Sequence, residues 1–234
     1  DQGLLFMSDT RTNAGVDNIS TFRKMFNWSV EGDRVITILT AGNLATTQAV
    51  VSLLNERSVI PADRKQTLLA APTMFQVARL VGDTLKEVIH SQAEEGQTAE
   101  STFGATMIVG GQIRGMEPRL FLVYPEGNFI EASNETPFFQ AGETKYGRPI
   151  ILRAFDSAMS FEDAIKLLFV SFDSTLKANL AVGMPLDLHA YRIDTFETGI
   201  QRRIPSDDPY FHAISSDWGN ALKEAIDKLP DFTF

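Results

Sequence analysis

Gly3-Leu4-Leu5-Phe6-Met7-Ser8-Asp9-Thr10-Arg11-Thr12-Asn13-Ala14-Gly15 carries an apolar run straight into a polar stretch that ends on glycine. Gly3 to Ser8 reads as a strand so apolar that it needs partners on both sides or a place inside a sandwich. Thr10 to Asn18 reads as a loop. Beyond it, Phe22 to Ser29 alternates apolar and polar residues, and Glu31-Gly32-Asp33 turns the chain into the β-branched run Arg34 to Thr40. Lys24 falls inside the first of these runs. Strict alternation puts it on the face of Phe22 and Phe26, and in an interior its ammonium needs a partner or gives up its proton. Asp9, at the end of the preceding strand, is the natural partner. The pair has two readings. A buried Lys beside a carboxylate polarises a nucleophile and shuttles a proton; the alternative is an ion pair that only holds the fold.

The period then changes. Leu44 to Arg57 has helical spacing, and Thr73 caps a second helix that carries Phe75, Ala78, Val81, Leu85, Val88 and Ile89 on one face until Glu94-Glu95-Gly96. Sheet returns from Thr102 to Ile113 and from Arg119 to Ile130, with a turn at Pro125-Glu126-Gly127-Asn128. Part of Glu143 to Phe155 reads as helical. Ser160 starts a helix to Asn179, with Asp163 where a capping box carries Glu or Gln, and its buried face is Ala164, Leu167, Leu168, Val170 or Ser171, and Leu176. Strands at Leu186 to Ile193 and Thr198 to Ile204 precede a last helix, Asp208 to Lys228. Blocks of strands and helices in this order indicate an α+β architecture, two sheets packed face to face with helices outside. Residues 1–234 read as one domain, without repeats or linkers.

Composition narrows the function. A net charge of −9 excludes a clustered basic face for nucleic acid. No run is long and apolar enough to span a bilayer and no secretion signal is visible, so a cytoplasmic location is expected and no membrane partner. The absence of cysteine removes thiolate chemistry and thiolate zinc sites. Nucleophile elbow, Walker loop and zincin patterns are missing, so neither a metal nor a cofactor is expected. His90, His189 and His212 are scattered, and His189 reads as a satisfied structural histidine inside a strand. Glu94-Glu95 and Asp207-Asp208 read as solvated element ends.

The run Ser8 to Gly15 with Lys24 resembles the start of proteasome β-type subunits, and its extension to Met25 is closest to a bacterial branch, the Anbu (ancestral β subunit) proteasome-type proteases. Ala41-Gly42, Gly142-Glu143-Thr144-Lys145-Tyr146-Gly147 and Val182-Gly183-Met184-Pro185-Leu186-Asp187 support the resemblance by order and spacing. It implies a four-layer αββα sandwich of two antiparallel sheets, the N-terminal-nucleophile (Ntn) hydrolase fold. It also implies a threonine nucleophile about eight residues upstream of Asp1, with its own α-amine as base. Lys24 would lower the nucleophile's pKa, Asp9 would orient Lys24, and the Gly42 N–H would donate to the oxyanion. By the same resemblance Ser20, Thr40 and Leu44 line a specificity pocket, Arg11 braces a loop, and Gly142 and Asn179 stand behind the reacting groups. The chain departs from the β-subunit pattern at Ala141, where a serine is usual, and at Asn179 and Val182, where an aspartate and a serine are usual. The supporting hydrogen-bond network is expected to differ accordingly. Peptides are the expected substrate and copies of the chain, in a ring or an open helix, the expected partners, with no unfoldase assigned. An inactive ring-forming subunit and a small-amide hydrolase are the alternatives.

Overall fold

In chain order the strands and helices are β1 (Gly3–Ser8), β2 (Arg11–Asn13), β3 (Ile19–Thr21), β4 (Met25–Val30), β5 (Arg34–Gly42), α1 (Leu44–Val59), α2 (Met74–Ala93), β6 (Ala105–Ile113), β7 (Arg119–Val123), β8 (Phe129–Glu131), α3 (Arg148–Ala154), α4 (Phe161–Ala178), β9 (Leu186–Arg192), β10 (Ile200–Ile204) and α5 (Pro209–Asp227). They come from a computed structural model that describes residues 2–13, 19–59, 67–93 and 103–234. β4 to β8 form an antiparallel sheet in sequence order, β1-β9-β10 a smaller antiparallel one, and β2-β3 a hairpin.

The layers follow from which side chains each strand buries. Ile36 and Ile38 of β5 join Val50, Leu54, Val77, Val81 and Leu85 in a core beneath α1 and α2. On the smaller sheet Met7, Leu186, Leu188 and Ile204 pack against Phe169 of α4 and Phe211 of α5. Helices therefore cover one face of each sheet, and the other two faces meet. Phe6 fills the flat spot that Gly110 leaves, since a Cβ at Gly110 would stand 2.7 Å from its ring. Two polar bolts cross the same interface: Thr37 Oγ1 lies 2.8 Å from His189 Nδ1, and the Tyr191 hydroxyl donates to Gln112 Oε1 at 2.6 Å. The α+β class and the αββα layering are those expected from the sequence.

Several local expectations change. Lys24 stands just before β4, because pairing with β5 starts at Met25 opposite Leu39 while the Phe22 N–H still serves the Thr10 carbonyl. The chain switches partners between those points, so alternation does not run through Lys24. Arg11–Asn13 is a strand paired with β3, and not loop. In α4 the buried set is Phe161, Leu167, Phe169, Ser171, Asp173 and Thr175, because that helix packs against β1, α3 and α5. Ser160 caps it, accepting from the Asp163 N–H at 3.1 Å. Asp208 is no solvated end: it is buried, accepts from the Phe211 N–H at 2.9 Å as the cap of α5, and pairs with Arg202. The expected helix end at Glu94-Glu95-Gly96 lies outside the described residues, and no described helix is long and apolar enough to cross a membrane.

Candidate active site

β1 pairs with β9 along one edge, and its other edge faces a cavity of about 580 Å³. The end of β5, the start of α1, residues 137–143 and parts of α3 and α4 close the remaining walls. Asp9 follows directly on β1 and is buried. Its Oδ1 accepts from Lys24 Nζ at 2.7 Å, and its Oδ2 accepts from the backbone N–H groups of Arg11 and Gly183, both at 3.1 Å. Every donor fits an ionised carboxylate, so Asp9 is a fixed negative anchor and Lys24 a fixed positive one. The Thr40 N–H donates to the Lys24 carbonyl at 2.8 Å, which ties the lysine's backbone to β5.

Gly42 ends β5 with φ +105°, and a Cβ there would meet the Gly104 carbonyl oxygen at 2.5 Å. Only glycine fits this backbone. Lys24, Asp9, Thr40, Gly42, Leu44 and Gly142 all line the cavity. Arg11 lines it too, and its guanidinium donates to the Leu180 carbonyl at 3.0 Å while passing over Gly183, where a Cβ would collide with it. It thus braces the loop that supplies the Gly183 N–H to Asp9.

Two residues do not line the cavity: Ser20, expected in its specificity pocket, and Asn179, expected behind the reacting groups. Ser20 pairs opposite Thr12 in the β2–β3 hairpin and is not part of the cavity wall. Asn179 caps α4 and turns its amide to Glu143 Oε2 at 2.6 Å. Glu143 lines the cavity and is the residue that sequence reasoning passed over. The Lys145 backbone N–H and the Asn179 amide hold its carboxyl below the usual range, against a smaller effect of desolvation than the first of these. Its signal was its place after Gly142 in a quoted motif; its pairing with a residue of α4 was not readable. Among the described residues no group of three or more histidines and carboxylates is arranged to hold a metal ion.

No family model matches the chain, and neither does any curated protein. Solved structures do. Anbu (ancestral beta-subunit) from Yersinia bercovieri is 44% identical with a TM-score of 0.92, covering 100% of this chain and 96% of that one. Anbu from Hyphomicrobium sp. strain MC1 is 50% identical with a TM-score of 0.91, covering 100% and 97%. The chain in the helical assembly of the Anbu complex from Pseudomonas aeruginosa is 42% identical with a TM-score of 0.92, covering 99% and 95%. With identity of this order over its whole length, and with the Asp9–Lys24 anchor set between two antiparallel sheets, the chain belongs to the Anbu, or ancestral β-subunit, family.

Proposed function

We propose that this chain is a proteasome-like N-terminal-nucleophile amidohydrolase, a peptidase, that assembles with copies of itself. The observation that carries the reading is the Lys24–Asp9 pair at 2.7 Å, turned toward a 580 Å³ cavity that Gly42 also lines. The open edge of β1 borders that cavity, where Ser8 Oγ and Gln140 Oε1 are buried without hydrogen-bond partners among the described residues. A strand preceding Asp1, laid on that edge, carries an N-terminal threonine to Lys24. The ammonium lowers the hydroxyl's pKa, and the threonine's own α-amine takes its proton. The oxygen attacks the amide carbon, the carbonyl oxygen takes up the negative charge, and the Gly42 N–H donates to it. The C–N bond then breaks as the leaving amine takes the proton, and water hydrolyses the resulting ester. Leu44 and Thr40 contact the substrate side chain on this reading, and the substrate class is peptides. Similarity to a chain from a helical assembly supports self-association.

Intact-mass analysis of the natural protein tests the nucleophile: Thr, Ser or Cys is expected at the mature N-terminus, and any other residue removes the enzyme reading. In that protein Lys24→Ala abolishes labelling by an electrophilic threonine-directed probe while assembly persists. Unchanged labelling makes Lys24 a structural residue.

A second reading, a catalytically weak assembly subunit, is favoured by the engagement of Asn179 with Glu143 at 2.6 Å, which leaves its amide committed. Turnover of a peptide library, compared with small amides, separates the two. A peptidase shows side-chain preference and an inactive subunit shows no turnover.

A further inference from the structure

Glu143 stands where two parts of the cavity wall meet. Gly142, just before it, lies against the end of β5, since a Cβ at Gly142 would stand 3.5 Å from Ala41 Cβ, one residue from Gly42. From the other side the Asn179 amide donates to Glu143 Oε2 at 2.6 Å. Asn179 also opens a turn, which the Val182 N–H closes on its carbonyl at 3.2 Å, and the next N–H, that of Gly183, donates to Asp9 Oδ2 at 3.1 Å. One short loop therefore ties Glu143 to the Lys24–Asp9 pair.

Charge is sparse at this end of the cavity. Among the described residues the charged ones that line it are Asp9, Arg11, Lys24, Glu143 and Asp156. Asp156 is remote, because it precedes the start of α4 while Asn179 ends that helix, about 27 Å further on at the helical rise. β5, α1, α3 and α4 turn no ionisable side chain to the cavity. Lys24 is bound to Asp9, and the Arg11 guanidinium to the Leu180 carbonyl. Asp9 already takes three donors. Glu143 takes only two, both neutral: the Asn179 amide and the Lys145 N–H, which donates to Oε1 at 2.8 Å. The Lys145 side chain is exposed and does not line the cavity. An ionised carboxylate has about four acceptor sites, so part of its capacity is left over. Its neighbours in the wall, Ala141, Gly142, Ala181 and Val182, have no side-chain donor to fill it. The C-terminal carbonyls of α4 add partial negative charge at the same place. The corner is built to receive a cation.

An N-terminal nucleophile brings one. Its α-amine titrates near 8, so close to pH 7 it arrives mostly as an ammonium with three N–H donors. We propose that Glu143 receives this α-amine and positions it beside the nucleophilic hydroxyl. When the threonine oxygen attacks, its proton passes to the neutral amine, and the carboxylate balances the ammonium so formed until the leaving nitrogen takes the proton. The inference rests on the hydrolase reading above and names the group that orients its base.

The experiment is the pH dependence of labelling by an uncharged, electrophilic, threonine-directed probe, for the natural full-length protein and for Glu143→Gln. Only the neutral amine acts as base, so labelling rises with pH through the α-ammonium's pKa. A carboxylate beside the amine raises that pKa, and Lys24 lowers it. Glutamine keeps an oxygen for the Asn179 amide and the Lys145 N–H and loses only the charge. Its rising limb moves about one pH unit or more to lower pH, and its plateau falls about tenfold or more. Glu143→Asp restores the charge and returns the limb toward the native one. The limb does not come from Glu143 itself, whose carboxyl the Lys145 N–H holds below the usual range, with help from Asn179 and against desolvation. Coincident limbs for the native chain and Glu143→Gln overturn the assignment. So does a loss of labelling confined to cationic probes, which puts Glu143 on the substrate's charge instead. A native protein that is not labelled at any pH overturns the hydrolase reading and this inference together.

Discussion

Asp9 collects three donors, so loss of its carboxylate strands three polar groups at once. Asp9→Ala strands the Lys24 ammonium and two backbone N–H groups and costs about 3 kcal/mol in chemical denaturation. Lys24→Met leaves Asp9 its two backbone donors and costs less; the reverse order would show that the lysine, and not the carboxylate, organises the wall. His189 gives the pH response. Burial pulls its pKa below the ordinary 6.5, opposed by the hydrogen bond to the Thr198 carbonyl. The fold thus favours the neutral ring, and as pH falls through about 6.5 the unfolded chain takes up the proton first. Stability is full above that point and declines below it. The thermal midpoint of the native chain is expected to fall between about pH 7 and pH 5 more steeply than that of His189→Asn. The sequence singled out Asp9, Lys24 and a structural His189 by residue type and position. It could not pair Asn179 with Glu143, because no local pattern joins a helix end to a loop 36 residues away.

At the scale of elements, the contact between sheets depends on one missing side chain. Gly110 admits the Phe6 ring, with Leu120 Cδ1 at 2.8 Å from the position of an added Cβ. Gly110→Ala therefore overpacks the interface and lowers stability by about 1–3 kcal/mol. Phe6→Leu in the same chain recovers part of the loss, and strict additivity of the two substitutions would refute the contact as the cause. The elements themselves were largely legible. β1, α1, α2, α4 and α5 fall where periodicity and caps put them, because local spacing reports which face is buried. The hairpin of Arg11–Asn13 with Ile19–Thr21 and the break before Met25 were not legible, since a three-residue strand has too few positions to show a period.

For the whole molecule, charge and apolar surface act in opposite directions. At −9 per chain, copies repel, while exposed apolar side chains such as Leu222, Ile226, Leu229 and Phe232 gain by leaving water. Raising salt from about 0.02 M to about 0.5 M shortens the screening length several-fold, so the average mass at fixed protein concentration is expected to rise. A falling mass would identify an interface held by ion pairs. What the sequence determined by itself was the α+β order of elements and the Asp9–Lys24 partnership, because each shows in residue type, period or motif. Only the tertiary structure decided that β1 borders a cavity along one edge, that Ser20 stands away from it, and that Asn179 holds Glu143. Those facts depend on where distant segments come to rest, and packing over the whole chain sets that.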